Sequence, residues 1–84
     1  MTRQTVVWHL DVQDDLAETW LNSLDREAVA KAADEIDRAL ATDPLEQGGE
    51  LSDGLRFFLA PPLCVLYAVR QEDRIVEILR VRLL

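Results

Sequence analysis

The spacing of hydrophobic residues changes twice along the chain. Residues 5–10 are mostly β-branched or aromatic and predict a short strand. From Asp14 onward, apolar residues recur at steps of three and four, which is the spacing of one helix face. They fall into two segments: Leu16, Ala17, Trp20, Leu21 and Leu24, then Val29, Ala32, Ala33, Ile36 and Leu40. The pattern therefore predicts a strand followed by a helical hairpin.

Local residues predict where the two helices begin and end. Asp14 and Asp15 suit the first turn of the first helix, where carboxylates meet free backbone N–H groups. Asp25 is placed to cap the second helix, and Pro44 ends it because the residue before a proline is driven out of the helical conformation. Two pairs at i,i+4 spacing would add a few tenths of a kcal/mol each: Glu27 with Lys31, and Asp34 with Arg38.

The second half of the chain is typical of a sheet. Residues 45–54 are rich in glycine and polar side chains and predict a surface loop. Three runs of strand-forming residues follow, at 55–60, 63–70 and 74–83. Their short connections indicate antiparallel hairpins, although Pro61-Pro62 is not a usual hairpin turn and favours a wider loop. Residues 63–69 are apolar on both faces, which predicts a central strand with helices covering one side.

The predicted order β-α-α-β-β-β is an α+β fold, with a helical hairpin packed on a small, mainly antiparallel sheet. Its 84 residues suffice for one domain, spanning 1–84. The longest apolar runs are too short to cross a bilayer, and no secretory signal follows Met1. With Cys64 as the single cysteine, no internal disulfide can form, so we expect a cytoplasmic protein.

Charge is distributed unevenly along the chain. Residues 1–54 carry thirteen acidic and four basic side chains, whereas residues 55–84 carry three acidic and five basic ones. The net charge of −7 repels a polyanion, so nonspecific nucleic-acid binding is not expected. A local anion site on the basic half stays open.

Six short pieces in a fixed order carry a family resemblance. They are Val7-Trp8, Ile36-Asp37 with Leu40 before Asp43-Pro44, Gly54-Leu55-Arg56, Val65-Leu66-Tyr67-Ala68-Val69, Asp73-Arg74-Ile75-Val76 and Ile78-Leu79-Arg80-Val81. Taken together they resemble the RelE/ParE toxin superfamily of bacterial type II toxin–antitoxin modules, which are associated with growth inhibition and plasmid stabilisation. The resemblance covers nearly the whole chain.

The resemblance implies one of two activities. RelE-like toxins cleave messenger RNA in the ribosome with basic residues, whereas characterised ParE-like toxins lack that set and poison DNA gyrase by protein contact. Cys64 stands where RelE-like enzymes place a catalytic arginine, and their basic and aromatic residues beyond the last strand fall at or past Leu84. The resemblance thus implies a ParE-like toxin that binds a target such as DNA gyrase. The alternatives are a ribosome-dependent mRNA endonuclease and a non-toxic interaction module.

The endonuclease alternative would need a base, a cation and an acid around the phosphate. Arg80 and Arg82 are two apart on one strand and share a face, where Arg56 from another strand could join them. Tyr67 could donate a hydrogen bond to a phosphate oxygen. These four residues are the catalytic set if cleavage occurs. Otherwise the arginines are solvated charges on a strand and Tyr67 is a core ring.

The resemblance also implies a cognate antitoxin, whose tail binds as a helix or added strand in the groove between helices and sheet edge. Trp8, Trp20 and Phe58 are the aromatic candidates for partner binding, with core packing as the alternative for each. Such toxins are commonly basic, so this acidic chain either uses its basic strand face alone or meets an unusually basic partner.

Other reactive side chains have simpler explanations. We expect His9 to be exposed or satisfied in the core, and Cys64 to be a buried, inert thiol. The spacing of the acidic residues matches no calcium loop, and Gly48-Gly49 matches no phosphate-binding loop, so neither a metal nor a cofactor is expected.

Overall fold

The computed structural model describes residues 3–84, which form two helices and five strands in an α+β fold. In chain order these are β1 (Thr5–Trp8), α1 (Leu10–Asn22), α2 (Arg26–Thr42), β2 (Gly49–Ser52), β3 (Leu55–Ala60), β4 (Leu63–Arg70) and β5 (Ile75–Leu83). The helical hairpin and the three C-terminal strands confirm the predicted architecture. One strand, β2, is additional. Neither helix in residues 3–84 has the length and apolar character needed to cross a bilayer.

The additional strand lies within the predicted loop of residues 45–54. Gly49 and Glu50 pair antiparallel with Phe57 and Arg56 of β3. The preceding Gly48 has φ of +62°, and a Cβ built there would lie 1.8 Å from the carbonyl oxygen of Phe57. Glycine therefore lets the chain approach β3 closely enough to pair. The loop prediction was wrong at 49–52, because the same glycines that mark a loop also permit this contact.

The first helix begins four residues earlier than predicted. Strand β1 ends at Trp8, His9 occupies the N-cap position, and helix α1 starts at Leu10. Asp11, rather than Asp14 and Asp15, is the acidic residue of the first turn. The first turn is closed by the backbone N–H of Gln13, which donates to the His9 carbonyl at 2.9 Å. The predicted start at Asp14 missed Val12, which is buried in α1 and stands four residues before Leu16 on the same helix face, whereas Leu10 is 75% exposed.

Helix α2 follows the prediction closely. The Asp25 carboxylate accepts a hydrogen bond from the Ala28 amide at 3.1 Å, and the helix ends at Thr42, two residues before Pro44. Both predicted i,i+4 ion pairs form, at 3.3 Å for Lys31 with Glu27 and 3.0 Å for Arg38 with Asp34. The predicted apolar stripe faces the core, where only Ala33 is half-buried rather than buried.

The five strands form one sheet in the order β1-β5-β4-β3-β2. Strand β4 is central, as its two apolar faces predicted. Strand β1 pairs parallel with β5, and the other three pairings are antiparallel. The prediction of a wide loop at Pro61-Pro62 was wrong: Ala60 pairs directly with Leu63, and the peptide between the two prolines is cis.

The sheet has one covered and one open face. Both helices pack on the face that carries the buried residues of β4. The core is closed by residues of α1, α2, β3, β4 and β5: Val12, Val29, Ala32, Ile36, Leu40, Phe58, Ala60, Leu63, Val65, Tyr67, Val76, Ile78 and Val81. Alternate residues of the same strands project to the opposite side. We call this side the open face; it carries Phe57, Leu59, Cys64, Leu66, Ala68, Glu77, Leu79, Arg80 and Arg82. Strand β5 has a bulge, with Arg80 opposite Leu66 and Ile78 opposite Tyr67, so the consecutive residues Leu79 and Arg80 both lie on the open face.

Candidate functional site

An apolar groove of about 810 Å³ lies between α1, α2 and β1. Trp8, the last residue of β1, projects to the covered side of the sheet because it pairs beside the buried Ile78. Leu16 and Trp20 reach the groove from α1, since residues four apart share a helix face. Ala33 supplies a small side chain from α2. The groove is therefore lined by two indole rings and by the small side chain of Ala33.

The two tryptophans remain accessible in this groove. Trp20 is 39% exposed, and the Arg26 guanidinium lies 5.0 Å from the centroid of its ring. Trp8 is half-buried, and its indole Nε1 donates to the Asp37 carboxylate at 3.2 Å. Phe58, the third aromatic candidate, is buried on β3 in the core and does not line the groove. The structure thus brings together two of the three predicted partner-binding residues.

The surroundings of the groove are acidic. Asp34 and Asp37 stand at its wall, and residues 10–42 of the hairpin carry nine acidic against three basic side chains, a net charge of −6. Such a groove favours a ligand that combines apolar side chains with positive charge, since complementary potentials steer encounter and exclude partners of like charge.

Arg56 and Tyr67 lie side by side on the covered face and hold a loop. The Arg56 Nε donates to the Tyr67 hydroxyl at 3.2 Å, and its Nη2 donates to the carbonyls of Leu45 and Gln47 at 2.9 and 3.1 Å. Tyr67 is fully buried, and its hydroxyl donates to the Pro44 carbonyl at 2.6 Å, with the Gln47 carbonyl also within 3.0 Å. These contacts fix the connection between α2 and β2.

Arg80 and Arg82 project from the opposite, open face, where they stand beside Leu66 and Cys64 of β4. Arg82 donates to the Val81 carbonyl at 2.8 Å and lies 3.6 Å from the Asp15 carboxylate. Arg80 has no hydrogen bond or ion pair within residues 3–84. The four residues of the predicted catalytic set are therefore divided between the two faces of the sheet rather than gathered around one phosphate position.

A cluster that the sequence did not indicate joins the start of α1 to the sheet. The His9 Nε2 lies 2.9 Å from one carboxylate oxygen of Glu77, and the Arg70 guanidinium donates to the other. The Glu77 side chain is only 16% exposed. The hydrogen bond from Arg70, followed by that from His9, holds the pKa of Glu77 below its usual value. The available signal was Glu77 as the single acidic residue of strand β5, flanked by apolar residues.

The remaining reactive groups are unremarkable. Cys64 is half-buried on the open face, so the prediction of a buried thiol was wrong; alternation along β4 turns it away from the core. Within residues 3–84, no three His, Cys, Asp or Glu side chains lie close enough together to hold a metal ion.

Comparisons with known proteins place this architecture among toxin–antitoxin structures. No protein-family model matches the chain, and no curated protein matches it. A chain of the toxin–antitoxin complex RelBE2 from Mycobacterium tuberculosis is similar to it, with 24% identity and a TM-score of 0.82 over 100% of this chain and 94% of that one.

Two further solved structures are similar over nearly their whole length. A chain of the chromosomal ParDE toxin–antitoxin system of P. aeruginosa has 18% identity and a TM-score of 0.71, with 98% of this chain and 97% of that one covered. A chain of the archaeal RelE-RelB complex from Pyrococcus horikoshii OT3 has 20% identity and a TM-score of 0.68, with 99% and 96% covered. The chain therefore shares its fold with chains of RelE- and ParE-type toxin–antitoxin complexes, which is the fold that the resemblance of its sequence predicted.

Proposed function

We propose that this chain is the toxin component of a type II toxin–antitoxin module, and that it acts in the ParE manner, by binding its target. The observation that carries the proposal is the apolar groove with Trp8 and Trp20 in its walls, on a fold found in toxin–antitoxin complexes. Exposed apolar surface rimmed by polar groups is typical of a protein interaction site. We propose that the groove receives a segment of the cognate antitoxin.

The shape of the groove suits an amphipathic helix or an apolar extended segment. Two indole rings at a groove are effective anchors, because large aromatic side chains dominate the energy of protein interfaces. The net charge of −6 on the helical hairpin favours a basic residue in the bound segment. The antitoxin is thus expected to contain a short apolar stretch flanked by lysine or arginine.

Binding rather than cleavage is supported by the placement of the basic residues. Arg56 and Tyr67 are engaged by carbonyl groups of the loop after α2, on the face away from Arg80 and Arg82. A phosphate at Arg80 is separated from Arg56 and Tyr67 by the sheet itself. We therefore favour a protein target, such as DNA gyrase, over messenger RNA on the ribosome.

Induced expression in a bacterial host tests the proposal. Growth is followed together with pulse labelling of DNA and protein synthesis, and soluble protein is verified in the same cells. Arrest in which DNA synthesis fails first is the expected result. Arrest in which translation fails first would instead favour the endonuclease, and normal growth at verified soluble levels would favour a non-toxic interaction module.

A groove variant tests the antitoxin site. Trp20→Ala should leave toxicity intact but weaken rescue by the product of the adjoining reading frame, because a tryptophan anchor contributes about 2 kcal/mol or more, equivalent to at least about 30-fold in Kd. Leu24→Ala is the matched control, since Leu24 is fully exposed beyond the groove. Equal rescue of both variants would remove the groove from the interface.

A further inference from the structure

The open face of the sheet carries a second apolar surface, separate from the groove. Leu59 of β3, Leu66 of β4 and Leu79 of β5 lie across three adjacent strands, with Phe57 next to Leu66. Leu59 is 49% exposed and Leu79 is 39% exposed. Leucine side chains collected on one side of a sheet are favourable to bury, at about 25 cal/mol for each Å² removed from water.

The charge on this surface is opposite to that of the hairpin. Arg80 and Arg82 border the leucines on β5; Arg82 lies 3.6 Å from the Asp15 carboxylate of α1, whereas Arg80 has no partner among residues 3–84. Glu77, the acidic residue of the open face, is already bound by Arg70 and His9. The uncompensated charge beside the leucines is therefore positive, in a protein whose net charge is −7.

The exposed leucines and the positive charge together indicate which kind of ligand the open face can bind. Nucleic acid prefers several aromatic rings for base stacking, and here Phe57 stands among aliphatic side chains, in a chain whose overall charge repels phosphate. A second copy docked by the same face would set Arg80 and Arg82 against their own equivalents. A protein segment with apolar and acidic side chains satisfies both the leucines and the arginines.

The width of the surface indicates the form of that segment. Strands β5, β4 and β3 are adjacent, and two inter-strand spacings of about 4.8 Å make a strip about 10 Å wide. An α-helix with its side chains is about 10 Å across. A helix laid on this strip would cover the open face as α1 and α2 cover the other one, which completes a third layer.

We propose that the open face docks an acidic amphipathic helix of a partner protein. Its apolar stripe covers Leu59, Leu66 and Leu79, and one of its carboxylates pairs with Arg80. The groove and the open face thus bind segments of opposite charge. This docking surface goes beyond the proposed antitoxin groove and holds for a partner of any function.

Cys64 provides a direct readout, because it lies on this surface between Leu59 and Arg82 and is the single cysteine of the chain. The probes are two designed helical peptides of about four turns (about 14 residues). Both carry the same leucine stripe, which is flanked by glutamates in one peptide and by lysines in the other. Alkylation of Cys64 by iodoacetamide is measured in the full-length protein with each peptide. The glutamate peptide should slow alkylation, less so at high salt, and the lysine peptide should leave it unchanged.

Arg80→Glu should weaken binding of the glutamate peptide by about fivefold to tenfold, because an attractive pair becomes a repulsive one. Lys31→Glu changes the net charge equally on the outer side of α2 and should leave the affinity within about twofold. Circular dichroism verifies that both variants are folded. The proposal is overturned if neither peptide protects Cys64, if both protect it equally, or if Cys64 becomes protected by protein concentration alone, which would indicate a second copy.

Discussion

Removing the hydroxyl of Tyr67 tests whether this residue and Arg56 serve the fold rather than catalysis. Tyr67→Phe keeps the ring, which is fully buried in the core, and deletes only the oxygen. That oxygen donates to the Pro44 carbonyl and accepts from the Arg56 Nε. The substitution leaves both groups without this partner in a place where water has little access.

The expected loss of stability follows from these two contacts. A hydrogen bond between neutral groups contributes about 1 kcal/mol net, and one to a charged group about 1.5–3 kcal/mol. Arg56 keeps its two hydrogen bonds to the carbonyls of Leu45 and Gln47, so the loss of its bond to the Tyr67 hydroxyl should cost the lower end of the range for charged groups. We expect Tyr67→Phe to lower the free energy of unfolding by about 2–3 kcal/mol. A domain of this size has on the order of 4–13 kcal/mol in total.

Urea and thermal unfolding measure the effect. A loss of this size corresponds to a fall in Tm on the order of 10–20 °C. Arg56→Lys, which keeps the charge but lacks the Nε–H donor, should be coupled to Tyr67→Phe by about 1 kcal/mol in a double-mutant cycle. Thr42→Val is the control, because its hydroxyl bonds a carbonyl at an exposed helix end, where water replaces it.

A structural role for the Tyr67 hydroxyl would be refuted if the free energy of unfolding of Tyr67→Phe stayed within about 0.5 kcal/mol of the wild type. It would also be refuted if the effects of Tyr67→Phe and Arg56→Lys were additive. A full loss of toxicity in a Tyr67→Phe protein that is folded at the growth temperature would also contradict it, because that result would assign the hydroxyl a chemical role.

Three further outcomes are expected from local contacts. In urea unfolding, the wild type should be more stable than Glu77→Gln at pH 7, and this difference in stability should shrink below about pH 4. The folded state lowers the pKa of Glu77, so the stabilisation is lost as the carboxylate is protonated. A stability difference independent of pH would contradict this expectation. Gly48→Ala should lower the free energy of unfolding by more than about 2 kcal/mol and expose the Phe57 amide to hydrogen exchange. Gly54 also has a positive φ but lies in open space, so Gly54→Ala should lower that free energy by about 1–2 kcal/mol. Asp25→Ala should cost about 1 kcal/mol in thermal unfolding by removing the α2 cap, and no change would mean that water replaces it.

Features that depend only on neighbouring residues were predictable from the amino-acid sequence. The stripe of α2, its cap at Asp25 and its two ion pairs each follow from the period of one helix. The central place of β4 follows from its two apolar faces. The order of helices and strands was predictable for the same reason, since binary pattern records which side of each element is buried.

Two local predictions failed where backbone contacts outweigh side-chain pattern. Strand β2 is polar and exposed, and it forms because Gly48 lets its backbone reach Phe57. Helix α1 starts at Leu10, whose side chain is exposed, and the first residue of its apolar stripe is Val12, four residues before Leu16. In both cases the deciding hydrogen bonds come from the main chain, which every residue has, so the sequence pattern contains little information about them.

Only the tertiary structure decided which functional residues meet. Parity along one strand placed Arg80 with Arg82. The face of Arg56 depended on its pairing with Tyr67, and the face of the other two arginines depended on the bulge in β5. Likewise, Trp8 and Trp20 share a groove while Phe58 does not, because the groove arises where α1, α2 and β1 converge. Register and packing join residues distant in sequence, and a site built from such residues becomes visible only when the chain is folded.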